Sequence, residues 1–219
     1  MTVKENLNVI NESLDACLKE SDFSRPTVIA VTKYVTIDRA KETFNAGIRH
    51  FGENRIEGFK EKKLALPGGT FHFIGSLQTR KVKEIINEVD YLHSLDRISL
   101  ADEIEKRAEQ PVKCFIQVNT SGEESKHGLS PDEVVNFVQS LKEYKKIEVV
   151  GLMTMAPLIE DAGLLRSYFA SLRKLRDRVA KLQQTNAPCT ELSMGMSNDY
   201  QLATIEGATF IRIGTKLVG

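Results

Sequence analysis

Residues 28–33 read Val28-Ile29-Ala30-Val31-Thr32-Lys33, five strand-forming positions that run straight into a cation. Side chains alternate along a strand, so Ile29, Val31 and Lys33 share one face. An ammonium at the end of a buried row is costly unless it is paired, neutralised or set in an open mouth. Lysines that form Schiff bases occupy such places, because desolvation lowers their pKa and frees the amine as a nucleophile. Taken alone, the hexapeptide fits better a lysine that caps a strand and reaches back to water. The other strands have to choose between the two readings.

Downstream of Lys33 the pattern alternates between strand and helix. A helix over 38–46 is stopped by Gly47. A strand over 48–53 precedes a helix over 54–66, which Pro67-Gly68-Gly69 breaks. Then come a strand over 70–77, a helix over 80–89 with Val82, Ile85, Ile86 and Val89 on one face, and a strand over 91–95. Asp96 is a good N-cap for a helix to 108. A strand over 112–119 opens into the polar loop 120–128, and Ser130-Pro131-Asp132-Glu133 carries the residues of a helix start. A strand over 148–155 precedes the longest helix, striped by Leu164, Tyr168, Leu172, Leu175, Val179 and Leu182. A strand over 190–193, a short helix over 199–206 and a strand over 209–213 complete the series. Upstream, Leu7, Ile10, Leu14 and Leu18 repeat at helical spacing and predict an additional first helix ending near Ser21.

Eight strands that alternate with helices, with no hairpin-length link, predict parallel strands and an α/β fold. The expected architecture is one (β/α)8 barrel of TIM type over residues 1–219, with an extra N-terminal helix. A doubly wound open sheet is the competing topology, but no GxGxxG follows the first strand.

Composition narrows the function classes. Thirty Lys and Arg balance thirty Asp and Glu, so the formal net charge is zero. That removes the electrostatic argument for nucleic acid or an anionic membrane as partner. The N-terminus lacks the features of a signal peptide, and no apolar run is long enough for a membrane span. Cys17, Cys114 and Cys189 are odd in number and far apart, as expected of reduced thiols in a cytoplasmic protein. His50, His72, His93 and His127 show no HxxxH spacing, so no metal site is expected.

In a barrel the site lies at the C-terminal ends of the strands. Those ends carry Lys33, Glu53-Asn54, Ser76, Ser94, Asn119, Met153-Thr154, Ser193 and Arg212-Ile213-Gly214-Thr215. Ser193 to Asp199 is small and polar where a strand turns into a helix, and Gly214-Thr215 repeats that character after the last strand. Small residues let backbone N–H groups approach an anion, and barrels commonly hold a phosphate between these two loops. Arg212 lies between Ile211 and Ile213 and so points opposite to them, into the barrel, where it needs an acceptor. A buried carboxylate would be a structural partner; a ligand ring nitrogen is the functional alternative and is preferred beside a lysine and a phosphate site. Lysine aldehyde chemistry, a phosphate cradle and a ring-nitrogen partner together describe pyridoxal 5′-phosphate (PLP).

The stretches Ala30-Val31-Thr32-Lys33, His50-Phe51-Gly52-Glu53-Asn54, His72 to Gln78, Gly151-Leu152-Met153, Ser193 to Ser197 and Arg212 to Thr215 are spread along nearly the whole chain. On them the sequence resembles the PLP homeostasis protein family, whose barrel is that of the alanine racemase N-terminal domain and of fold-type III PLP proteins. The resemblance implies Lys33 as the internal aldimine lysine, phosphate contacts from Ser193, Gly195, Gly214 and Thr215, and Arg212 at the pyridine nitrogen. It places Asn54 beside the cofactor and Ser197 within the phosphate motif. Thr32, Tyr34 and Arg80 depart from the usual residues of the family, and Tyr34 could narrow the mouth.

The resemblance also implies a PLP carrier or regulator without catalytic turnover, whose partners would be apo PLP-dependent enzymes. The sequence itself predicts a cytoplasmic protein and, with no apolar seam that calls for a dimer, a monomer. An arginine at the ring nitrogen only donates, which leaves the ring a weaker electron sink. The opposing tyrosine that alanine racemase takes from a second domain has no room after Thr215. Lys126 is a candidate second capture point, although a solvated loop charge is the plainer reading. The alternatives are a single-domain racemase-like PLP enzyme and an aldolase-like barrel that uses Lys33 on a sugar phosphate.

Overall fold

The structure is a computed structural model that describes residues 1–123 and 126–219. Glu124 and Ser125, in the middle of the polar loop expected over 120–128, lie outside the described residues. Eight strands close a parallel barrel in chain order: β1 (Thr27–Val31), β2 (His50–Glu53), β3 (Thr70–Phe73), β4 (Tyr91–Leu95), β5 (Val112–Gln117), β6 (Ile147–Met153), β7 (Glu191–Met196) and β8 (Phe210–Ile213). Closure comes from β8 lying beside β1, with Ile29 opposite Arg212. The helices are α1 (Val3–Leu18), α2 (Ile37–Asn45), α3 (Ile56–Ala65), α4 (Ile98–Arg107), α5 (Val134–Ser140), α6 (Ala162–Ala180), α7 (Tyr200–Ile205) and α8 (Thr215–Val218). The expected barrel with its extra N-terminal helix is therefore the observed architecture, and the doubly wound sheet is not.

The core divides as a barrel requires. One large cluster fills the layer between the strands' outer faces and the helices. A smaller one inside the barrel contains Ile29, Phe115, Val150, Met153 and Phe210. At the N-terminal end of the strands the interior is plugged by aromatic rings. His72 stacks on Tyr91 with centroids 4.6 Å apart, and Phe115 and Phe210 meet edge to face at 5.8 Å. The barrel is a packed core rather than a pore, so a ligand has only the other mouth.

Two glycines are fixed by close approach. A Cβ on Gly151 would lie 2.1 Å from the Glu191 carbonyl oxygen, so only glycine lets β6 and β7 pair there. Gly195 has φ +89°, and a Cβ on it would sit 2.6 Å from Cβ of Ala203, so glycine is what seats α7 against the end of β7.

Several local expectations are corrected. The region expected as a helix over 80–89 is a 3-10 helix over Thr79–Glu84 followed by turns, without a side-chain cap, although Val82, Ile85 and Ile86 are buried as the pattern required. Asp96 does not cap α4; its carboxylate instead accepts from Arg97 at 2.6 Å, and Arg97 takes the cap position. On α6 the buried stripe is Leu165, Phe169, Leu172, Leu175 and Val179. Asp161 caps this helix by accepting from Leu164 N, which turns Leu164 outward and Leu165 inward. Helix α1 ends at Leu18, and its start is fixed by a capping box of Thr2 and Glu5 that the apolar spacing alone did not reveal.

Candidate functional site

Strand β1 ends at Val31, and the next residues bend out of the sheet, so Lys33 stands on the rim of the barrel's C-terminal mouth and is exposed. Its ammonium lies 4.9 Å from the centre of the Tyr34 ring, itself 77% exposed. The desolvated lysine expected from the sequence is thus not desolvated by the protein alone.

The segment leading to Lys33 is held from below. Thr32 is buried, and its hydroxyl donates to Glu53 Oε1 at 2.6 Å. Lys62, reaching in from α3, donates to the same carboxylate oxygen at 2.8 Å and also to the Thr32 carbonyl. Glu53 and Lys62 form a buried ion pair, which needs such extra hydrogen bonds to offset desolvation.

Within the mouth is a cleft of about 480 Å³, in the size range of small-molecule sites. Its walls include Lys33, Asn54, Ser197, Arg212, Gly214 and Thr215, six of the eight residues singled out from the sequence. The remaining two, Ser193 and Gly195, are not among the lining residues. Gly195 serves the packing of α7, as described above. Ser193 is fully buried and its hydroxyl is engaged inside the barrel, so a phosphate contact from that side chain does not follow from its placement.

Arg212 forms the floor of the cleft. It is 4% exposed, and its two terminal nitrogens donate to Ser193 Oγ at 2.6 Å and to the Thr154 carbonyl at 2.8 Å. Burial pulls the guanidinium down to about 10, with nearby Asp199 opposing, so it remains a cation at neutral pH. A guanidinium has five N–H donors, so these two bonds leave others for a ligand. No carboxylate is hydrogen-bonded to it among the described residues, although Asp199, on the cleft wall, is near enough to feel it. Burial pushes the Asp199 carboxyl up, and its Oδ1 accepts from Met196 N.

The loops after β7 and β8 are tied together where the Gly214 N–H donates to Ser197 Oγ at 3.2 Å. A side chain at Gly214 would meet only ordinary contacts with Val31, which leaves open space above its backbone. The leading N–H groups of the turn that begins at Thr215 have no acceptor within it. Just past the end of β2, the Asn54 amide oxygen is buried without a partner among the described residues. An orphaned acceptor lining a cleft is the mark of a group that awaits a ligand or a water.

Thr154 stands at a strand end as expected, but its role, a carbonyl that fixes Arg212, was not legible in the sequence, nor was the wall formed by Met155, Ala156, Pro157 and Leu158. The role of the histidines was missed as well. His50, His72 and His93 occupy β2, β3 and β4 and hydrogen-bond to one another inside the barrel. Their placement on three successive strands was the available signal, which HxxxH-type spacing within one segment does not capture. Among the described residues no metal-binding cluster occurs, and no helix is long and apolar enough to cross a membrane. Lys126 reaches the rim, 3.4 Å from the Met155 carbonyl and 3.5 Å from Glu123 Oε2.

The family described as "Alanine racemase, N-terminal domain" matches residues 5–219. A pyridoxal phosphate homeostasis protein of Aquifex aeolicus is 41% identical over 197 residues, covering 88% of this chain and 86% of that one. The chain belongs to the pyridoxal phosphate homeostasis protein family. The human pyridoxal phosphate homeostasis protein is 36% identical over 232 residues, 97% of this chain and 84% of its own. Among solved structures, PipY of Synechococcus elongatus PCC7942 with PLP bound is 31% identical, with a TM-score of 0.85 over 99% of this chain and 100% of that one. An alanine racemase of Clostridium difficile 630 shares the fold at 14% identity and a TM-score of 0.76, and this chain spans 56% of its length. The homeostasis family thus has the alanine racemase type of barrel.

Proposed function

We propose that this protein binds PLP in the cleft, holds it covalently through Lys33, and buffers or delivers it to apo-enzymes without catalytic turnover. The observation that carries the proposal is a buried, charged, donor-only arginine on the floor of a cleft whose rim bears a free lysine. Support comes from the PLP-bound relative PipY and from the name shared by the curated relatives.

The residues present fit the cofactor. Arg212 would donate to the ring nitrogen, and the orphaned Asn54 oxygen would accept from the ligand beside it. The open backbone at Gly214, the leading N–H groups at Thr215 and the Ser197 hydroxyl would hold the phosphate. Ser193 would act one step back, by holding Arg212. Bound PLP supplies a reactive aldehyde and an electron-withdrawing ring. The Lys33 amine would be the group that takes up that aldehyde covalently, with loss of water. Because Arg212 only donates, it favours a ring nitrogen without a proton, which limits the electron demand that turnover of amino acids requires. Holding the aldehyde also keeps it from other amines, the property a carrier needs.

Lys126, placed at the rim, is proposed as a second capture point during release. Unchanged transfer of PLP to an apo-enzyme by the Lys126→Ala variant would remove that role. The central test is the visible spectrum of the purified protein, followed by borohydride reduction and peptide mapping. A yellow protein with its reduced label on Lys33 and no steady turnover of an amino acid panel is expected. A colourless protein that takes up no PLP would overturn the reading, and sustained racemisation would overturn its non-catalytic part.

A further inference from the structure

Arg212 is the upper end of a continuous hydrogen-bonded column that runs down the barrel interior. Its Nη1 donates to Ser193 Oγ at 2.6 Å, and that hydroxyl lies 3.0 Å from His93 Nδ1. His93 Nε2 is 2.9 Å from His72 Nδ1, and His72 Nε2 is 2.9 Å from His50 Nδ1. His72 and His93 are completely buried, while His50 is partly open at the far end.

The direction of the column follows from donor counting. Arg212 can only donate, so Ser193 Oγ accepts from it. The Ser193 proton is then left to find an acceptor, and His93 Nδ1 is the one in reach among the described residues. A buried hydroxyl proton without an acceptor is costly, so His93 presents a bare Nδ1 and carries its proton on Nε2. The same step repeats at His72 and at His50, whose Nε2–H is left for water. The opposite polarity would strand the Ser193 proton. Burial, first, and then the neighbouring charges hold His72 and His93 well below the usual histidine range, in keeping with neutral rings.

Each neutral imidazole oriented this way turns its lone pair toward Arg212 and its N–H away. The cation is thereby stabilised by aligned dipoles, as at a helix C-terminus, while Asp199 acts on it only through its charge and without a hydrogen bond among the described residues. The column cannot deliver a proton to a ligand, because it ends on a group already charged.

We propose that His93, His72 and His50 are positioning residues for Arg212: a unidirectional column of neutral Nε2–H imidazoles that, through Ser193, holds the guanidinium in register with the cleft and leaves its charge free for the ligand. The column itself follows from the hydrogen bonds, and its effect on the ligand rests on the PLP reading above.

The first test uses the ligand-free protein. Nitrogen-15 correlation spectra of the imidazoles at neutral pH are expected to show the Nε2–H tautomer at His93, His72 and His50. An Nδ1–H tautomer or a cation at His93 or His72 would overturn the proposal whether or not PLP binds. The second test compares His93→Phe, which removes the acceptor, with His93→Gln, which supplies an amide oxygen and an N–H. His93→Phe is expected to raise the dissociation constant for PLP about tenfold, the effect of one hydrogen bond serving a charged group. It is also expected to shift the absorption band of the bound cofactor, and His93→Gln should restore part of both. Wild-type affinity and spectrum in a folded His93→Phe protein would overturn the positioning role. If that variant does not fold, the tautomers of the unmodified protein still decide. Failure of the unmodified protein to bind PLP would count against the carrier reading alone.

Discussion

Lys62 donates from its ammonium to the carbonyl oxygen of Thr32, the peptide that leads into Lys33. The residue on the rim of the cleft is thus held by a buried cation from α3, which Glu53 balances at 2.8 Å. Removing one partner of such a pair leaves an uncompensated charge, so Lys62→Met is expected to lose about 3–5 kcal/mol in urea unfolding. Adding Glu53→Leu to that variant should recover much of the loss. A single variant as stable as the original would show that the pair does not hold this segment.

Substituting Lys33 separates covalent from non-covalent retention. Lys33→Ala is expected to lose all borohydride-reducible label at this position, while Arg212, Asn54 and the phosphate loops still give weak, dialysable binding. Because the Lys33 side chain is exposed and its ammonium is 4.9 Å from the Tyr34 ring, the melting temperature of the unliganded protein should not change measurably. Label that persists elsewhere with equal yield would move the attachment point.

Arg212→Lys tests shape rather than charge. A lysine presents a single point of donation and cannot span Ser193 Oγ and the Thr154 carbonyl as the guanidinium does. One of those buried acceptors is then unpaired, at a cost of about 1–3 kcal/mol. PLP affinity is expected to fall along with stability, measured by titration and by thermal unfolding.

Gly195→Ala is expected to destabilise the protein by about 1–3 kcal/mol, because a left-handed backbone and a 2.6 Å contact with Ala203 must both relax. The double variant with Ala203→Gly relieves the contact but not the dihedral, and should recover only part. Full recovery would show that the conformation at Gly195 carries no strain for other residues.

The buried histidines predict a definite pH dependence. Their folded pKa values lie well below 6.5, the value expected once unfolding exposes them. Between the two values the unfolded chain binds protons that the folded chain does not, so stability falls as the pH drops. His72 and His93 contribute fully above about pH 6.5, and below it their share declines by about 1.4 kcal/mol per pH unit for each. Urea unfolding from pH 7.5 to 5 should show this slope, and its reduction by about half in His72→Gln would assign the share of that residue.

The order of elements and the identity of the mouth were legible in the sequence, because parallel strands in a barrel are short apolar runs that end in polar residues on one side. Lys33, Asn54, Ser197, Arg212, Gly214 and Thr215 all reach the cleft, and Arg212 points inward, opposite to Ile211 and Ile213. Alternation alone does not say what an inward group will bond, so Ser193 read as a ligand contact when it holds an arginine. Strand length was overestimated at Lys33 because Thr32 and Lys33 look like a continuation of β1, while the chain bends once Thr32 bonds to Glu53. The buried pair of Glu53 and Lys62 escaped notice because nine residues of separation place no two side chains together until α3 has packed on β2.

The aromatic plug at the N-terminal end of the barrel has a kinetic consequence. With Tyr91, Phe115 and Phe210 closing that end, whatever enters the cleft leaves by the way it came. If the protein delivers PLP as proposed, loading and unloading share one doorway, and a recipient would have to meet it at the threshold where Lys33 stands. A donor and a recipient cannot be engaged there at once, so the protein would hand over its cargo in alternation, like a shuttle rather than a conduit.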